Sequence, residues 1–267
     1  MKNKLRFSSI LLITILLGCA WKMYVDTRPT IYLIGDSTVR NGQGDGQGKG
    51  ANGLWGWGNY LSSYFDTTKI VIKNKAMGGT SSRTYQYKLW INVLQSLKPG
   101  DYVIMQFGHN DNGALADSSR ARGTIKGIGS DSAEIHNPLT KQQEIVHTYG
   151  WYIRKFISDT RSKGAIPVVC SPIPRNDWRD GKVRADSSAY GLWAMQVAQA
   201  ENVAFIPLNK IIVNHYNDMG EAKARYTFFS EKDHTHTIEA GAKFNAGCVV
   251  EGLKELKDFS LTKYLLK

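Results

Sequence analysis

A serine, a glycine, an asparagine, an aspartate and a histidine carry the chemistry this sequence offers. Ser37 stands in Gly35-Asp36-Ser37-Thr38, directly after the apolar run Ile31-Tyr32-Leu33-Ile34. Ligands bind at the carboxyl edge of α/β sheets, and a glycine supplies the tight turn that presents a hydroxyl there. A serine so placed is a nucleophile or a cap for the next helix. Asp233-His234-Thr235-His236 comes late in the chain. An aspartate and a histidine three residues apart fit on one short turn. The Asp233 carboxylate can then accept from the His236 ring and fix its tautomer, leaving the other ring nitrogen to take the Ser37 proton. His234 points elsewhere on such a turn and reads as supporting; the competing reading makes the whole cluster a cap for the helix that follows. Asn74-Lys75-Ala76-Met77-Gly78-Gly79-Thr80-Ser81 follows a second apolar run. A glycine there can bring its N–H beside the serine oxygen with no side chain in the way, or can simply turn the chain. Phe107-Gly108-His109-Asn110-Asp111 follows a third run, and the Asn110 amide can donate to a developing oxyanion. Nucleophile, base, orienting carboxylate and donors, in this order and at strand ends, make an acyl-transfer site.

The elements that must position them follow from hydrophobic runs. Thr30–Ile34, Ile70–Asn74, Tyr102–Phe107, Ala165–Cys170 and Val203–Leu208 are continuous rather than alternating, as strands of a parallel sheet covered on both faces are. Helical patterns separate them. Tyr85–Leu97 stops at Lys98-Pro99-Gly100, and Gln142–Lys163 stops at Gly164; Ser187–Glu201 and Thr237–Leu256 complete the set. This alternation predicts an α/β fold, a three-layer α/β/α sandwich on a five-stranded parallel sheet. Asn41–Gly58 is glycine-rich and Asp111–Pro138 is a long polar loop; loops of that length serve function or stay disordered.

The first residues read as a targeting segment. Lys2, Lys4 and Arg6 precede the apolar run Ile10–Leu17, which is short for a membrane span, and Leu16-Leu17-Gly18-Cys19 resembles a bacterial lipoprotein cleavage box. The expected organisation is a signal peptide over 1–19, of lipoprotein type if Cys19 is lipidated, a linker over 20–29 and one catalytic domain over 30–267. The product is then exported: periplasmic, secreted or lipid-anchored to a membrane. A formal charge of +11 suits a polyanionic partner such as an acidic polysaccharide, or is diffuse solubilising charge. There is no run of Lys and Arg and no nucleic-acid module, so nucleic acid is not expected. Cys170 and Cys248 lack CxxC neighbours, which weakens zinc and thiol-redox readings and leaves two buried thiols or a disulfide.

The order GDS, Gly, GxND, DxxH resembles the four blocks of the SGNH (GDSL-like) hydrolases. More narrowly, the chain is similar to rhamnogalacturonan acetylesterases through Gly56-Trp57-Gly58, Asn74–Ser81, Phe107–Asp111, Val146–Ile157 and Asp233–Thr237. The likeness spans roughly residues 30–257. It implies a flavodoxin-like fold, Ser37, Asp233 and His236 as the catalytic triad, and an oxyanion hole from the N–H groups of Ser37 and Gly79 with the Asn110 side chain. It also implies deacetylation of an acetylated acidic pectic polysaccharide through an acyl-enzyme, with no cofactor and no metal. Thr38 stands where the name GDSL has Leu, as it does elsewhere in this subgroup; Gly78 and Thr80 differ from some relatives. Arg83, Arg120, Arg122, Arg175 and Arg179 follow strands on the site's edge, where a guanidinium can bind a substrate carboxylate. Among the tryptophans, Trp55 and Trp57 read as core, and Trp178 as a surface on which a sugar could stack. Arg175 and Trp178 are the candidate substrate contacts.

Rival readings explain less. Gly48-Lys49-Gly50-Ala51-Asn52-Gly53 matches GxGxxG but starts far from its strand, and neither a P-loop nor a G-x-S-x-G elbow occurs. A metal-dependent deacetylase using His109, Asp111, Asp233, His234 and His236 would leave Ser37 idle. A surface carbohydrate-binding protein with a decayed site would have no use for the intact polar set. Within esterases, the alternatives are deacetylation of another glycan such as xylan, and hydrolysis of a lipid or thioester.

Overall fold

A computed structural model describes residues 26–40, 53–185 and 189–267. The signal segment with Cys19, the start of the linker and most of the glycine-rich stretch lie outside the described residues. The first element among the described residues is β1 (Thr30–Gly35), all six residues buried. After β2 (Leu54–Trp55) come β3 (Val71–Asn74), helices α1 (Ser82–Lys88) and α2 (Trp90–Ser96), and β4 (Tyr102–Gln106). A hairpin of β5 (Ser132–His136) and β6 (Gln143–His147) precedes α3 (Tyr149–Ser162) and β7 (Ile166–Cys170). The short pair β8 (Trp178–Arg179) and β9 (Lys182–Val183) leads to α4 (Tyr190–Ala200), β10 (Ala204–Ile206), α5 (Leu208–Met219) and α6 (Glu221–Phe228). The chain then runs through β11 (Phe229–Ser230) and β12 (Asp233–Ile238) into α7 (Glu239–Glu255).

The central sheet is five-stranded with spatial order β10-β7-β4-β1-β3, every pairing parallel. Period-two alternation splits the inner strands between two cores. Ile31 and Leu33 face one side with Ile104 and Val168, under α5 and α7, while Tyr32 and Ile34 face the other with Val103, Met105 and Val169, under α1 to α4. The result is the three-layer sandwich expected. Because the sheet is wound outward in both directions from β1 and β4, a crevice opens between them at their carboxyl ends, the switch point where such folds bind ligands.

Local chemistry sets the boundaries. Ser81 caps α1, accepting from the Thr84 N–H while the Thr84 hydroxyl accepts from the Ser81 N–H. Gly164 takes φ +68° after α3, the conformation that only glycine enters without strain. Three expectations need correction. Tyr85–Leu97 is not one helix: Leu89, at φ −132°, separates α1 from α2. Gln142–Lys163 begins as a strand, and α3 starts only at Tyr149, where Thr148 accepts from the Trp151 N–H at 3.1 Å. The polar stretch 111–138 holds β5 of the same hairpin, and α5 and α6 were not foreseen. Among the described residues no helix is long and apolar enough to cross a membrane. Cys170 and Cys248 are free, buried thiols.

Candidate active site

The turn after β1 is held by a buried polar chain. Asp36 accepts from the Thr38 N–H at 2.8 Å and from its hydroxyl at 2.7 Å; Gln106, ending β4, donates to the Thr38 hydroxyl at 2.5 Å and accepts from the Trp57 indole at 2.9 Å. Thr38 is thus a polar relay where a leucine would break the chain. Gly35 passes so close to β4 that a Cβ would sit 2.5 Å from the Gln106 carbonyl. The turn leaves Ser37 half-buried at the crevice.

Gly56-Trp57-Gly58 explains how the two remote catalytic segments find each other. Trp57 and Gly58 donate backbone bonds to the Thr38 and Val39 carbonyls at 3.0 and 2.9 Å, clamping the stretch behind the nucleophile. A Cβ on Gly58 would come within 2.8 Å of the Val39 oxygen, and one on Gly56 would overlap the Val39–Arg40 peptide. Asn74 adds a bond from its amide to the Val39 carbonyl at 3.1 Å. Just upstream, Trp55 in β2 pairs antiparallel with Thr237 of β12. The strand bearing the aspartate and histidine is therefore tied, through four consecutive residues, to the nucleophile turn.

The outcome is a connected relay. His236 Nε2 lies 2.8 Å from Ser37 Oγ, and His236 Nδ1 lies 2.8 Å from Asp233 Oδ2. The other Asp233 oxygen accepts from the N–H groups of Thr235 at 2.7 Å and His236 at 2.8 Å. Burial would raise the Asp233 carboxyl, but the His236 and Thr235 donors outweigh it and hold it below its ordinary value. It therefore stays a carboxylate, and a carboxylate fixes the ring with Nδ1 protonated and Nε2 aimed as a base at the hydroxyl. The capping alternative does not hold: α7 takes Ile238 as its N-cap, with no side-chain bond.

The donors converge on the same cleft. Ser37, Gly78, Gly79, His109, Asn110 and His236 line an open cavity of about 390 Å³, with Arg120, Arg122, Arg175 and Thr235 completing its wall. Gly78 runs beside the nucleophile, where a Cβ would be 3.6 Å from Ser37 Cβ. Asn110 is buried and spends one amide hydrogen on the Thr80 carbonyl at 2.9 Å, so the second remains for a ligand.

The arginines divide. Arg83 turns inward, fully buried, and pairs bidentately with Glu144 at 2.7 Å, so it is no substrate ligand. Arg179 is exposed, 3.9 Å from Asp180 and not among the cleft-lining residues. Arg120, Arg122 and Arg175 stay in the wall; Arg175 also bridges Thr235 and the His109 carbonyl, joining the asparagine loop to β12. Trp178 departs from its expected place. It is half-buried, donates to Asn176 at 2.8 Å and packs on the core rather than lining the cleft. His234 is exposed, and its carbonyl accepts from the Asn176 N–H at 2.7 Å. The histidines and aspartates of the zinc reading do not converge; among the described residues the one metal-compatible grouping is His215, Cys248 and Glu251, on α5 and α7. The Asp36–Thr38–Gln106–Trp57 chain was missed, although a glutamine ending an apolar strand was a signal for it.

Residues 33–243 match the GDSL-like Lipase/Acylhydrolase family. A probable rhamnogalacturonan acetylesterase of Bacillus subtilis is 32% identical over 242 residues, 89% of this chain and 97% of the relative. A rhamnogalacturonan acetylesterase of Emericella nidulans is 29% identical over 229 residues, 84% of each. In three dimensions the chain is similar to a catalytic mutant of an acetylxylan esterase from Geobacillus stearothermophilus, with a TM-score of 0.56 at 18% identity, covering 84% of this chain and 94% of that one.

Proposed function

Because the chain belongs to the GDSL-like lipase/acylhydrolase family, a family of carboxylic ester hydrolases, we propose that it is a carbohydrate acetylesterase acting on acetylated rhamnogalacturonan. One observation carries the chemistry: the 2.8 Å contacts that link Ser37 to His236 and His236 to Asp233. Ser37 Oγ attacks the acetyl carbonyl while His236 Nε2 takes its proton. The negative oxygen meets the N–H groups of Ser37 and Gly79 and the free hydrogen of Asn110. The tetrahedral intermediate collapses, the proton passes to the departing sugar oxygen, and the acetyl group stays on Ser37. Water, deprotonated by His236, then releases acetate. Each donor is worth roughly 3–4 kcal/mol of barrier where such groups have been removed.

The acidic glycan is supported by the curated relatives and by the wall of the cleft. Arg120 and Arg175 present guanidinium groups in the cleft wall, suited to galacturonate carboxylates that a neutral xylan lacks. The cleft is open and lined mainly by polar side chains, which suits a sugar better than an acyl chain. Pectin is then the material degraded, and the basic first residues with their apolar run support export, with Cys19 as the residue a lipid anchor would use.

Acetate release from acetylated rhamnogalacturonan and from acetylated xylan, by wild type and Ser37→Ala, tests the proposal. Faster release from the acidic polymer, abolished in the variant, is expected. Equal release from both polymers would remove the substrate, and unchanged release by Ser37→Ala would remove the mechanism.

A further inference from the structure

We propose that Arg122 is a positioning residue for the oxyanion hole, holding the Gly79 backbone in the one orientation that turns its N–H toward Ser37. This rests on the acyl-transfer role of Ser37 and on no particular glycan. Gly79 has φ +79°, and nothing lies within 4 Å of where its Cβ would be, so hydrogen bonds rather than packing of its own fix this exposed residue. Glycine has the widest choice of backbone angles of any residue, and a donor useful only in one of them needs an external hold. Two side chains provide it on consecutive carbonyls. Arg122 Nη1 donates to the Gly79 oxygen at 3.2 Å, and Asn110 donates to the Thr80 oxygen at 2.9 Å. Behind them the Thr80 N–H and hydroxyl both bond the Met77 carbonyl, at 3.3 and 2.8 Å.

The loop that delivers Arg122 is built to keep it there. Ala121, buried and immediately before it, sits at φ +44°, a left-handed conformation unfavourable for any residue with a Cβ. Such strain persists only where the surroundings over-determine it, and it gathers at functional sites. The surroundings are explicit. Buried Arg83 donates to the carbonyls of Leu115 and Gly123 at 2.8 Å each, and the Thr124 N–H donates to the Asp111 carbonyl at 2.9 Å. A Cβ on Gly123 would collide with the Gly113 carbonyl, so the two arms of the loop are in backbone contact. Arg122 itself is half-buried beside the cleft; burial and the Arg120 charge lower its guanidinium below the usual range, and Asp36, Asp111 and Asp117 only partly oppose them. Loop clamp, strained alanine and guanidinium form one continuous support ending at the Gly79–Thr80 peptide, which leaves the Gly79 N–H only the rotations about its own Cα.

The test uses a neutral aryl acetate, which has no carboxylate for an arginine to bind, with wild type, Arg122→Gln and Arg122→Lys. The expected result for Arg122→Gln is a kcat lower by roughly 10- to 100-fold with KM changed less than about twofold, because a misoriented donor weakens only the transition state. Arg122→Lys should recover part of the loss, and affinity for a boronic acid that mimics the tetrahedral intermediate should fall in step with kcat/KM. Thermal midpoints close to wild type in both variants complete the expected pattern. An unchanged kcat on the neutral ester, with a raised KM on acetylated rhamnogalacturonan alone, would make Arg122 a carboxylate ligand and overturn the proposal. A loss of kcat matched by a collapse of both midpoints would assign Arg122 to stability and overturn it equally. Failure of the glycan assignment would show separately, as poor turnover of acetylated rhamnogalacturonan by wild type.

Discussion

Asp111 is the residue whose neighbours decide its chemistry most completely. Its side chain is fully buried; one oxygen accepts from the Ser82 N–H at 3.1 Å and from the Ser82 hydroxyl, while the other has no partner. Burial pushes the carboxyl up to about 7, the Asp36 charge adds to the rise, and the Ser82 donors only partly oppose it. A raised carboxyl means that the folded protein holds the proton more tightly than the unfolded chain does. Stability therefore falls as pH rises from the unfolded value of about 4 toward 7, by up to roughly 4 kcal/mol, and levels off above. Asp111→Asn, which cannot ionise, is expected to flatten this decline, so that its thermal midpoint gains on wild type between pH 5 and 7.5 (roughly the window in which a carboxyl so shifted titrates). Parallel midpoint curves for the two proteins would show that Asp111 does not titrate there. At this scale the sequence was readable wherever a residue type has one employment: Ser37, Asp233, His236 and Asn110 meet as their chemistry and motif order required. It was unreadable where a type has several, since an arginine after a strand suits a substrate and an internal carboxylate alike.

The hairpin β5–β6 shows that ambiguity one level up. Its register sets Glu134 opposite Ile145 and Ile135 opposite Glu144, and Glu144 reaches Arg83 at the start of α1. Burial alone would raise the Glu144 carboxyl; Arg83 and the Asn137 amide bring it below its ordinary value. In Gln143-Glu144-Ile145-Val146-His147 only the β-branched Ile145 and Val146 lean toward strand, a weak preference beside apolar spacing that runs into α3. Partnership with an arginine sixty-one positions away decides its form. The inner strands β1, β4 and β7, by contrast, were legible nearly to the residue because burial on both faces leaves them no alternative to continuous apolar side chains. Removing one partner of the pair strands a buried charge, and Glu144→Gln is expected to cost about 3–5 kcal/mol in chemical denaturation. The loss should carry over to the cleft, because the same arginine holds the carbonyls of Leu115 and Gly123. A cost under about 1 kcal/mol would mean that the pair contributes no more than an exposed one.

Over the whole molecule the formal charge of +11 and the cleft arginines Arg120 and Arg175 suit the anionic polymer proposed as substrate. Raising ionic strength shortens the Debye length from about 10 Å at 0.1 M to about 3 Å at 1 M. KM for acetylated rhamnogalacturonan is therefore expected to rise several-fold over that range while kcat on a neutral acetate ester stays level. Equal salt responses for the two substrates would mean that the charge is a solubilising coat. Strand alternation announced the layered fold, whereas the β2–β12 pairing that joins the two ends of the site rests on a two-residue strand too short to carry a pattern. That pairing has a consequence for how the protein is born. The hydroxyl leaves the ribosome 199 positions ahead of its base. A growing chain exposes the serine long before anything can activate it, so esterolysis waits until β12 has been made and has paired with β2.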